Sequence, residues 1–230
     1  MKELWICDLG TVAYDDALAL QGHLREARKA DEIPDTLLLL EHPPVYTRGR
    51  RSSDDDLPLG ESFYAAQGID VVEVDRGGLV TYHGPGQLVG YPIVRIGDVI
   101  GYLRTLERAI VAALQREGLA ARGAGDRPTG VWVGDRKIAS IGVHVSRRVT
   151  THGFAVNADN DLEPFEWIVP CGLAGVAMTS IARETGRTPT LPGFRANVAA
   201  ELATAFESRA VSVPPTRLAQ AQAPAAVTPG

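Results

Sequence analysis

The sequence predicts an α+β fold in which a mixed or largely antiparallel sheet is flanked by helices. Strand-like runs occur in clusters joined by short turns, and amphipathic helical segments separate these clusters. Strands and helices do not alternate one by one, so the chain lacks the pattern of a parallel βαβ protein. The 230 residues are 45% hydrophobic and 22% charged, an ordinary composition for a globular domain with its own core.

The N-terminal part contains elements of both kinds. Residues 4–10, LWICDLG, have the pattern of a short strand, and residues 14–30 place apolar side chains near helical spacing. Residues 35–51 begin as a buried strand and then run into a proline-broken, arginine-rich loop. Residues 69–94 have the pattern of strand, Gly-Gly turn, strand, glycine loop and strand.

The C-terminal part contains two predicted helices around a second cluster of strands. Residues 98–119 form an amphipathic helix, and Asp98 is its expected N-cap. Residues 130–159 look like three strands joined by the turns GD and SRRVT. Residues 194–210 form another predicted helix, in which apolar side chains recur every four positions.

The composition sets the expected boundaries and environment of the protein. Residues 213–230 are rich in Pro, Ala and Gln, so we predict a disordered tail after a single domain over residues 1–212. The net charge of −5 argues against general nucleic-acid binding. No stretch approaches the roughly 20 apolar residues of a membrane helix, and the first residues lack a secretory signal. We therefore expect a cytoplasmic protein with no membrane partner.

The cysteines and histidines limit the possible metal and disulfide chemistry. Cys7 and Cys171 are the two cysteines, and a reducing cytosol disfavours a structural disulfide between them. The five histidines show no compact ligand spacing, so no metal site is expected. Cys7 lies inside the first predicted strand and is interpreted as a core residue.

A glycine-rich segment, RGGLVTYHGPGQLVGYP at residues 76–92, is the densest signal for a binding site. Glycines let a ligand approach the backbone closely, although ordinary hairpin turns would also explain them. His83 next to a Gly-Pro-Gly bend is hard to explain by packing and favours a site. Neither nucleotide-binding glycine motif matches the segment, so no nucleotide cofactor is expected.

Lys137 is the second signal, in the run RKIASIGVHV. In a regular strand it shares a face with Ala139, Ile141, Val143 and Val145, because side chains alternate with a period of two. Burial of a charged lysine is costly, so an apolar face favours the neutral amine. Two alternatives stay open: a strand-end lysine that reaches water, and a bulge near Gly142 that changes the register.

Cys171 in IVPCGL is the third signal. Core packing is the common role of a lone cysteine, but Pro170 and Gly172 indicate a bent loop that would present a thiol. The following residues, LAGVAMTSIARETG, could begin a helix. A nearby helix N terminus or ammonium group would favour the thiolate.

Three arginines, Arg48, Arg50 and Arg51, form a local basic cluster. The cluster is either a solvated loop or a docking patch for an acidic partner. Arg147 and Arg148 are a second candidate patch of the same kind.

Taken together, these segments resemble the octanoyltransferases of lipoate biosynthesis, also called lipoyl(octanoyl) transferases. The resemblance covers residues 4–207 in the family's order and rests on RGGLVTYHGPGQLVGYP, GVWVGDRKIASIGVHV, THGFAVN and IVPCGL, with LLLLEHPPVYTRGR before them. It implies the fold of the biotin and lipoate protein ligases over one catalytic domain. It also implies transfer of an octanoyl group from octanoyl-acyl carrier protein to a lysine of an apo lipoyl domain, with no cofactor.

The resemblance further implies the site residues and the partners. Cys171 would accept the acyl group as a thioester, and Lys137 would be its acid/base partner. The acceptors would be lipoyl domains of 2-oxoacid dehydrogenase complexes or glycine cleavage H protein. For the oxyanion, which any such transfer must stabilise, backbone N–H groups near Gly142 or Gly172 are candidate donors, and the sequence does not choose between them. The acyl pocket would be lined by Arg76, Gly77, Gly78, Leu79, Val80, Thr81, Tyr82, His83, Ser140, Ile141, Gly142, Gly153, Phe154 and Ala155.

Three other functions stay open from the sequence. An ATP-dependent lipoate or biotin ligase would share the fold but would not need a nucleophilic cysteine. A non-catalytic module that binds acyl groups or carrier proteins would merely pack Cys171. A cysteine thioesterase would release free octanoate.

Overall fold

The computed structural model describes residues 2–168 and 176–220. The strands are β1 (Lys2–Thr11), β2 (Asp35–Glu41), β3 (Val45–Arg48), β4 (Asp70–Glu73), β5 (Val80–His83), β6 (Gln87–Ile93), β7 (Ala121–Gly123), β8 (Gly130–Val133), β9 (Arg136–Ser146), β10 (Val149–Asn157) and β11 (Ser208–Ser212). The helices are α1 (Tyr14–Lys29), α2 (Glu61–Ala66), α3 (Val99–Arg116), α4 (Ile181–Thr185), α5 (Leu191–Ala205) and α6 (Pro215–Gln220), with short 3-10 helices at Asp54–Asp56 and Glu163–Phe165.

An eight-stranded sheet forms the centre of the molecule, in the order β11-β1-β2-β6-β10-β9-β8-β7. β1 runs parallel to β2 and β11, and every other neighbouring pair is antiparallel. Alternate residues of β2 face opposite layers: Leu37 packs in the cluster that holds α3 and α5, and Leu38 packs in the cluster that holds α1. The predicted α+β fold, a largely antiparallel sheet between helices, is confirmed.

The glycine-rich segment belongs to a second, three-stranded sheet of order β4-β3-β5. Residues 45–48 form its central strand, where the sequence had indicated a loop, and three of their four side chains are buried. β4 and β5 both pair with β3 and not with each other. The Gly-Gly turn between them is therefore not a hairpin turn, because it must cross the width of β3.

α3 is an 18-residue amphipathic helix, as predicted. Asp98 caps it, and its carboxylate accepts a hydrogen bond from the Gly101 amide at 2.6 Å. Leu106, Ile110 and Leu114 are buried against the main sheet. Among the described residues, no helix is both long enough and apolar enough to cross a membrane.

The C-terminal elements differ from the sequence predictions. The helix predicted over residues 194–210 ends at Ala205. Glu207 adopts a left-handed conformation with φ 52°, and the chain then enters β11, which pairs parallel with β1. Helical periodicity continues through the turn at residues 206–207 and into the strand that pairs with β1, so the prediction is wrong for residues 206–210.

The tail prediction is also wrong for residues 215–220, which form α6. Leu218 is 1% exposed and packs in the cluster beneath α1, and the Arg217 guanidinium lies 5.2 Å from the centroid of the Trp5 ring. Burial of Leu218 and the contact of Arg217 with Trp5 dock this short helix, which the polar composition of the segment concealed. Residues 221–230 lie outside the described residues.

A bulge in β9 decides which face Lys137 occupies. Trp132 of β8 pairs with Lys137, whereas the neighbouring Val131 pairs with Ala139, so Ile138 is an extra residue. Paired residues share a face of the sheet, and neighbours along a strand do not. Lys137 and Ala139 therefore lie on opposite faces, and the predicted shared face is wrong. The bulge lies earlier in the strand than the position considered from the sequence.

Candidate active site

A cavity of about 610 Å³ lies between the main sheet, the second sheet and the start of α1. It is large enough for a small-molecule ligand. Thirteen of the fourteen residues predicted to form the acyl pocket line this cavity, together with Lys137. They are Arg76, Gly77, Gly78, Leu79, Val80, Thr81, His83, Ser140, Ile141, Gly142, Gly153, Phe154 and Ala155. The fold thus brings together segments that are far apart in the sequence.

Tyr82 is the predicted pocket residue that does not line the cavity. Side chains alternate along β5, so Tyr82 points away from the face that carries Thr81 and His83. Its ring packs against Tyr46 and Phe165, with centroids 5.6 and 5.5 Å away. Tyr82 therefore supports the second sheet from behind.

Cys171 and Gly172 lie within residues 169–175, which are outside the described residues, so the described chain ends at Ile168 and resumes at Val176. Ile168 and Met178 pack in the same apolar cluster beneath the second sheet. The Lys137 amide donates to the Ala177 carbonyl, and the Thr179 amide donates to the Lys137 carbonyl, both at 2.9 Å. Residues 177–179 are therefore held beside Lys137 by two backbone hydrogen bonds.

Lys137 is buried in the cavity wall, with 2% of its surface exposed. The bulge turns it to the face of Ser140, which pairs with Gly130 of β8. Its Nζ lies 5.7 Å from the centroid of the Trp132 ring, a cation–π distance. A Cβ atom at Gly130 would lie 2.6 Å from Lys137 Cε, so the lysine stem occupies space that only glycine leaves open.

The hydrogen bonds around His83 determine its tautomer. The Asn157 amide donates to the Thr179 carbonyl, and the Gln87 amide donates to the Tyr82 carbonyl and to Asn157 Oδ1. Gln87 Oε1 must then accept from His83 Nδ1, at 2.8 Å. His83 Nε2 is left as an acceptor. Burial, helped by the nearby charge of His42, lowers the pKa of His83 well below 6.5.

A second polar group in the cavity, around His152, was not predicted from the sequence. His152 Nε2 lies 2.7 Å from Asp75 Oδ1, and its Nδ1 lies 3.5 Å from the Tyr14 hydroxyl. Tyr91 donates to His42 Nε2 at 2.8 Å, because His42 Nδ1 already donates to a backbone carbonyl. Tyr14, Tyr91 and His152 all line the cavity. The position of His152 directly before the predicted pocket residue Gly153 could have indicated it from the sequence. No sequence feature indicated Tyr14, because it comes from a helix that is distant in the chain.

Burial and hydrogen bonding shift the pKa values of this group. Burial lowers the pKa of His152, and the hydrogen bond to Asp75 offsets only part of this effect. Partial burial opposes ionisation of Asp75, but the hydrogen bond and charge of His152 outweigh it and lower the pKa of Asp75. Burial raises the pKa of Tyr14 to about 12. At neutral pH the group is thus a carboxylate, a neutral imidazole and a neutral phenol.

Arg76 fastens the glycine-rich loop to the rest of the site. Its guanidinium donates to the Thr47 carbonyl at 2.6 Å and to the Thr47 hydroxyl at 2.7 Å. The Gly77 amide donates to the Val143 carbonyl of β9 at 3.0 Å. A Cβ atom at Gly142 would come within 2.9 Å of the Gly77 carbonyl oxygen, so the loop and strand touch backbone to backbone.

The two arginine patches have different settings. Arg48 pairs with Asp54 at 2.8 Å and with Glu73 at 3.8 Å, whereas Arg51 lines the cavity mouth. Arg147 and Arg148 form the β9–β10 turn with φ of 49° and 66°. The lining residues not predicted from the sequence are Tyr14, Arg51, Tyr91, Val99, Leu103, Arg127, Pro128, Thr129, Val143 and His152.

Comparison with known proteins identifies the family. The lipoyl protein ligase A/B catalytic domain model matches residues 13–203. The octanoyltransferase of Acidothermus cellulolyticus is 48% identical over 201 residues, covering 84% of this chain and 87% of that one. The octanoyltransferase of Mycobacterium tuberculosis is 48% identical over 205 residues, covering 86% and 85%. The chain belongs to the octanoyltransferases of the lipoyl protein ligase A/B family. The resemblance found in the sequence is confirmed.

Solved structures support the fold of this octanoyltransferase family member. Lipoate-protein ligase A bound with ATP matches with a TM-score of 0.77 at 15% identity, covering 96% of this chain and 93% of that one. A bipartite lipoate protein ligase from Thermoplasma acidophilum gives 0.74 at 17% identity, covering 96% and 91%. Biotin protein ligase from Aquifex aeolicus gives 0.53 at 12% identity, covering 90% and 70%. The predicted ligase-like fold is confirmed.

Proposed function

We propose that this protein transfers an octanoyl group from octanoyl-acyl carrier protein to a lysine of an apo lipoyl domain through a thioester on Cys171. The acceptors are lipoyl domains of 2-oxoacid dehydrogenase complexes or glycine cleavage H protein. Octanoyl transfer follows from family membership. We add three features to this activity: the donor, the covalent intermediate and the acceptor. We assign the reaction to one catalytic domain over residues 1–212.

Burial of Lys137 in the cavity wall is the observation that carries the proposal. Only 2% of the Lys137 surface is exposed, and burial of a charged lysine is costly. Its position in a cavity wall therefore indicates a functional role. Residues 177–179 come six to eight positions after Cys171, and they bond to the Lys137 backbone on both sides of an isolated bridge between Lys137 and Met178. A lysine amine next to a cysteine thiol is an arrangement that activates the thiol as a nucleophile, and we propose that the Cys171 thiol meets the Lys137 amine in this way.

The first half-reaction exchanges one thioester for another. The Lys137 amine takes the proton of the Cys171 thiol, and the thiolate attacks the carbonyl carbon of the octanoyl thioester. The carbon–sulfur bond to the carrier breaks, and the Lys137 ammonium returns its proton to the departing thiolate. Octanoyl-Cys171 and the free carrier thiol result, with no net release of protons.

The second half-reaction forms an amide. The acceptor lysine loses a proton from its ammonium group, and the resulting amine attacks the carbonyl of octanoyl-Cys171. The amine passes a second proton to the Lys137 amine as the amide forms, and the Lys137 ammonium then gives this proton to the departing Cys171 thiolate. One proton is released overall, because a lysine is an ammonium ion at neutral pH. A thioester is higher in free energy than an amide, so the step needs no ATP.

The apolar part of the cavity suits the octanoyl chain. Leu79, Val80, Leu103 and Phe154 line it. Each buried methylene contributes about 0.8 kcal/mol, so an eight-carbon chain binds measurably better than a much shorter one.

Intact-mass spectrometry after incubation with octanoyl-acyl carrier protein tests the proposal. We expect one octanoyl adduct on the wild-type protein and none on Cys171→Ser. Lys137→Met should slow adduct formation by about 10²-fold, the usual contribution of an acid/base group. Cys7 provides an internal control: it is fully buried, and burial raises its pKa to about 11, so it should not react.

Other outcomes would favour the other functions. An adenylate formed from ATP and lipoate or biotin, with full transfer by Cys171→Ser, would indicate a ligase. No adduct with a correctly loaded donor would indicate a binding module. Free octanoate released in the presence of apo lipoyl domain would indicate a thioesterase.

A further inference from the structure

The side chains of Asp75, His152 and Tyr14, which were not predicted from the sequence, connect the interior of the cavity to solvent. The side chain of His152 is 2% exposed, whereas that of Asp75, its hydrogen-bond partner, is 53% exposed. On its other side His152 approaches the Tyr14 hydroxyl, at 3.5 Å between Nδ1 and oxygen. Carboxylate, imidazole and phenol thus form a row from the protein surface to the cavity wall.

An uncommon backbone conformation at His152 orients its ring between Asp75 and Tyr14. Its φ is 56°, in the left-handed region, within a strand whose neighbours are extended. The Gln21 side chain of α1 accepts a hydrogen bond from the His152 amide at 2.7 Å and keeps this turn in place. The arrangement orients the ring so that its two nitrogens meet different partners.

Asp75 sets the tautomer of His152. A carboxylate accepts hydrogen bonds, so Nε2 carries the hydrogen and Nδ1 presents a lone pair toward Tyr14. An imidazole oriented in this way by a carboxylate is a general base of the kind found in catalytic triads. The proposed mechanism gives it no task in the thioester exchange, where Lys137 takes and returns one proton.

We propose that Asp75, His152 and Tyr14 form a proton relay that serves the amide-forming half-reaction alone. Tyr14 is the relay residue on the cavity wall, and Asp75 acts through His152 as a positioning residue. This inference rests on the proposed function, in which thioester exchange releases no proton and amide formation releases one. The relay supplies an exit for that proton while the lipoyl domain is docked at the mouth of the cavity.

The transfer balances as follows for the acceptor lysine. Its ammonium gives a proton to the Tyr14 oxygen as the Tyr14 hydroxyl proton moves to His152 Nδ1. The amine, now neutral, forms a bond to the octanoyl carbonyl carbon. His152 is then an imidazolium ion paired with Asp75, and it releases a proton to water at the exposed carboxylate. Loss of the Nε2 proton leaves the Nδ1–H tautomer, and proton exchange with water restores Nε2–H before the next turnover. The relay is then again a carboxylate, a neutral imidazole and a neutral phenol, and one proton has left the site.

Single-turnover experiments can separate the two half-reactions. Each enzyme is first loaded with octanoyl-acyl carrier protein, and the rate of octanoyl-Cys171 formation is followed by intact mass. The loaded enzyme is then mixed with purified apo lipoyl domain, and octanoyl-lysine formation is followed in the same way. The variants are Tyr14→Phe, His152→Gln and Asp75→Asn, and His144→Gln is the matched control.

We expect each relay variant to load at the wild-type rate and to form the amide about 10²-fold more slowly. His144 lies 3.5 Å from Asp75 but does not line the cavity, so His144→Gln should leave both rates unchanged. His152→Gly should accept the left-handed backbone and open a ring-sized space. Added imidazole should restore part of its amide-forming rate, which a purely structural role would not allow.

Two results would overturn the relay. Equal slowing of both half-reactions, without rescue by imidazole, would assign the group a structural role. Wild-type rates for all three variants would remove any role in transfer. If the wild-type protein forms no octanoyl adduct, the proposed function fails first and the relay with it, and that result is visible before any variant is made.

Discussion

Lys137 shows how a single neighbour can position a functional side chain. Gly130 stands opposite Ser140 with φ 146°, and its missing side chain leaves the space that Lys137 Cε fills. The Trp132 ring lies against the amine end. Position and burial of the lysine are therefore properties of β8 as much as of β9.

Gly130→Ala should damage both stability and activity. The new methyl group would lie 2.4 Å from the Ala139 carbonyl and 2.6 Å from Lys137 Cε, and the backbone conformation is one that L residues rarely adopt. We expect a loss of about 1–3 kcal/mol in the free energy of unfolding, measured with urea, because overpacked sites must shift. The displaced lysine should also slow adduct formation on Cys171.

Gly22→Ala is the matched control for that substitution. A Cβ atom at Gly22 would meet nothing within 4 Å, and the residue lies inside α1. Alanine is the better helix former, so stability should rise by up to about 1 kcal/mol with no change in activity. Equal behaviour of the two variants would contradict the role given to Gly130.

Elements at the end of the chain contribute to the core more than their composition indicates. β11 extends the main sheet beyond β1, and α6 then returns across the face that carries α1. The Val213 amide donates to the Ile6 carbonyl at 2.9 Å and leads the chain into α6. Leu218 is the side chain through which α6 packs against this face.

Leu218→Ala should destabilise the protein measurably. The side chain is 1% exposed in a cluster with Leu24 and Leu38, and truncation of a buried leucine costs about 2–5 kcal/mol. Thermal and urea unfolding would measure the loss. Thr216→Ala, at an exposed position of the same helix, should have no effect. If both variants unfold like the wild type, α6 does not dock in solution.

At the scale of the whole molecule, buried neutral histidines link folding to pH. His42 donates from Nδ1 to the Val12 carbonyl and accepts from Tyr91 at Nε2, so it has no place for a second proton. Burial lowers its pKa from 6.5 to about 4. His83 and His152 are shifted in the same direction.

Stability should therefore fall on acidification below pH 6.5. The unfolded chain binds a proton at His42 between pH 6.5 and about 4, whereas the folded protein does not, so the stabilising contribution is present above pH 6.5 and is lost as the pH falls toward 4. The loss from His42 amounts to about 3 kcal/mol over this range. Urea titrations at several pH values would measure it.

His42→Gln separates this effect from the other groups. Glutamine can bond to Val12 and Tyr91 without titrating. The slope of unfolding free energy against pH should then decrease by about 1.4 kcal/mol per pH unit between pH 4 and 6.5. An unchanged slope in this window would mean that His42 binds its proton equally well in the folded protein.

The amino-acid sequence by itself determined the fold class, the family and most cavity-lining segments. Apolar periodicity specifies strands and helices locally. The motifs around Arg76, Lys137 and Gly153 identify the family and the cavity-lining segments from the sequence alone. The Cys171 motif also supported the family assignment, and the role of Cys171 stays a prediction.

Only the tertiary structure decided which side chains meet. An extra residue at Ile138 moved Lys137 to the opposite face of its strand, and local alternation carries no sign of such a bulge. Tyr14, Asp75 and His152 come together from α1, the position before the glycine-rich segment and β10, although the first and the last are 138 positions apart in the chain. Strand register and helix docking depend on packing between distant segments, and that information is not contained in any short stretch of the chain.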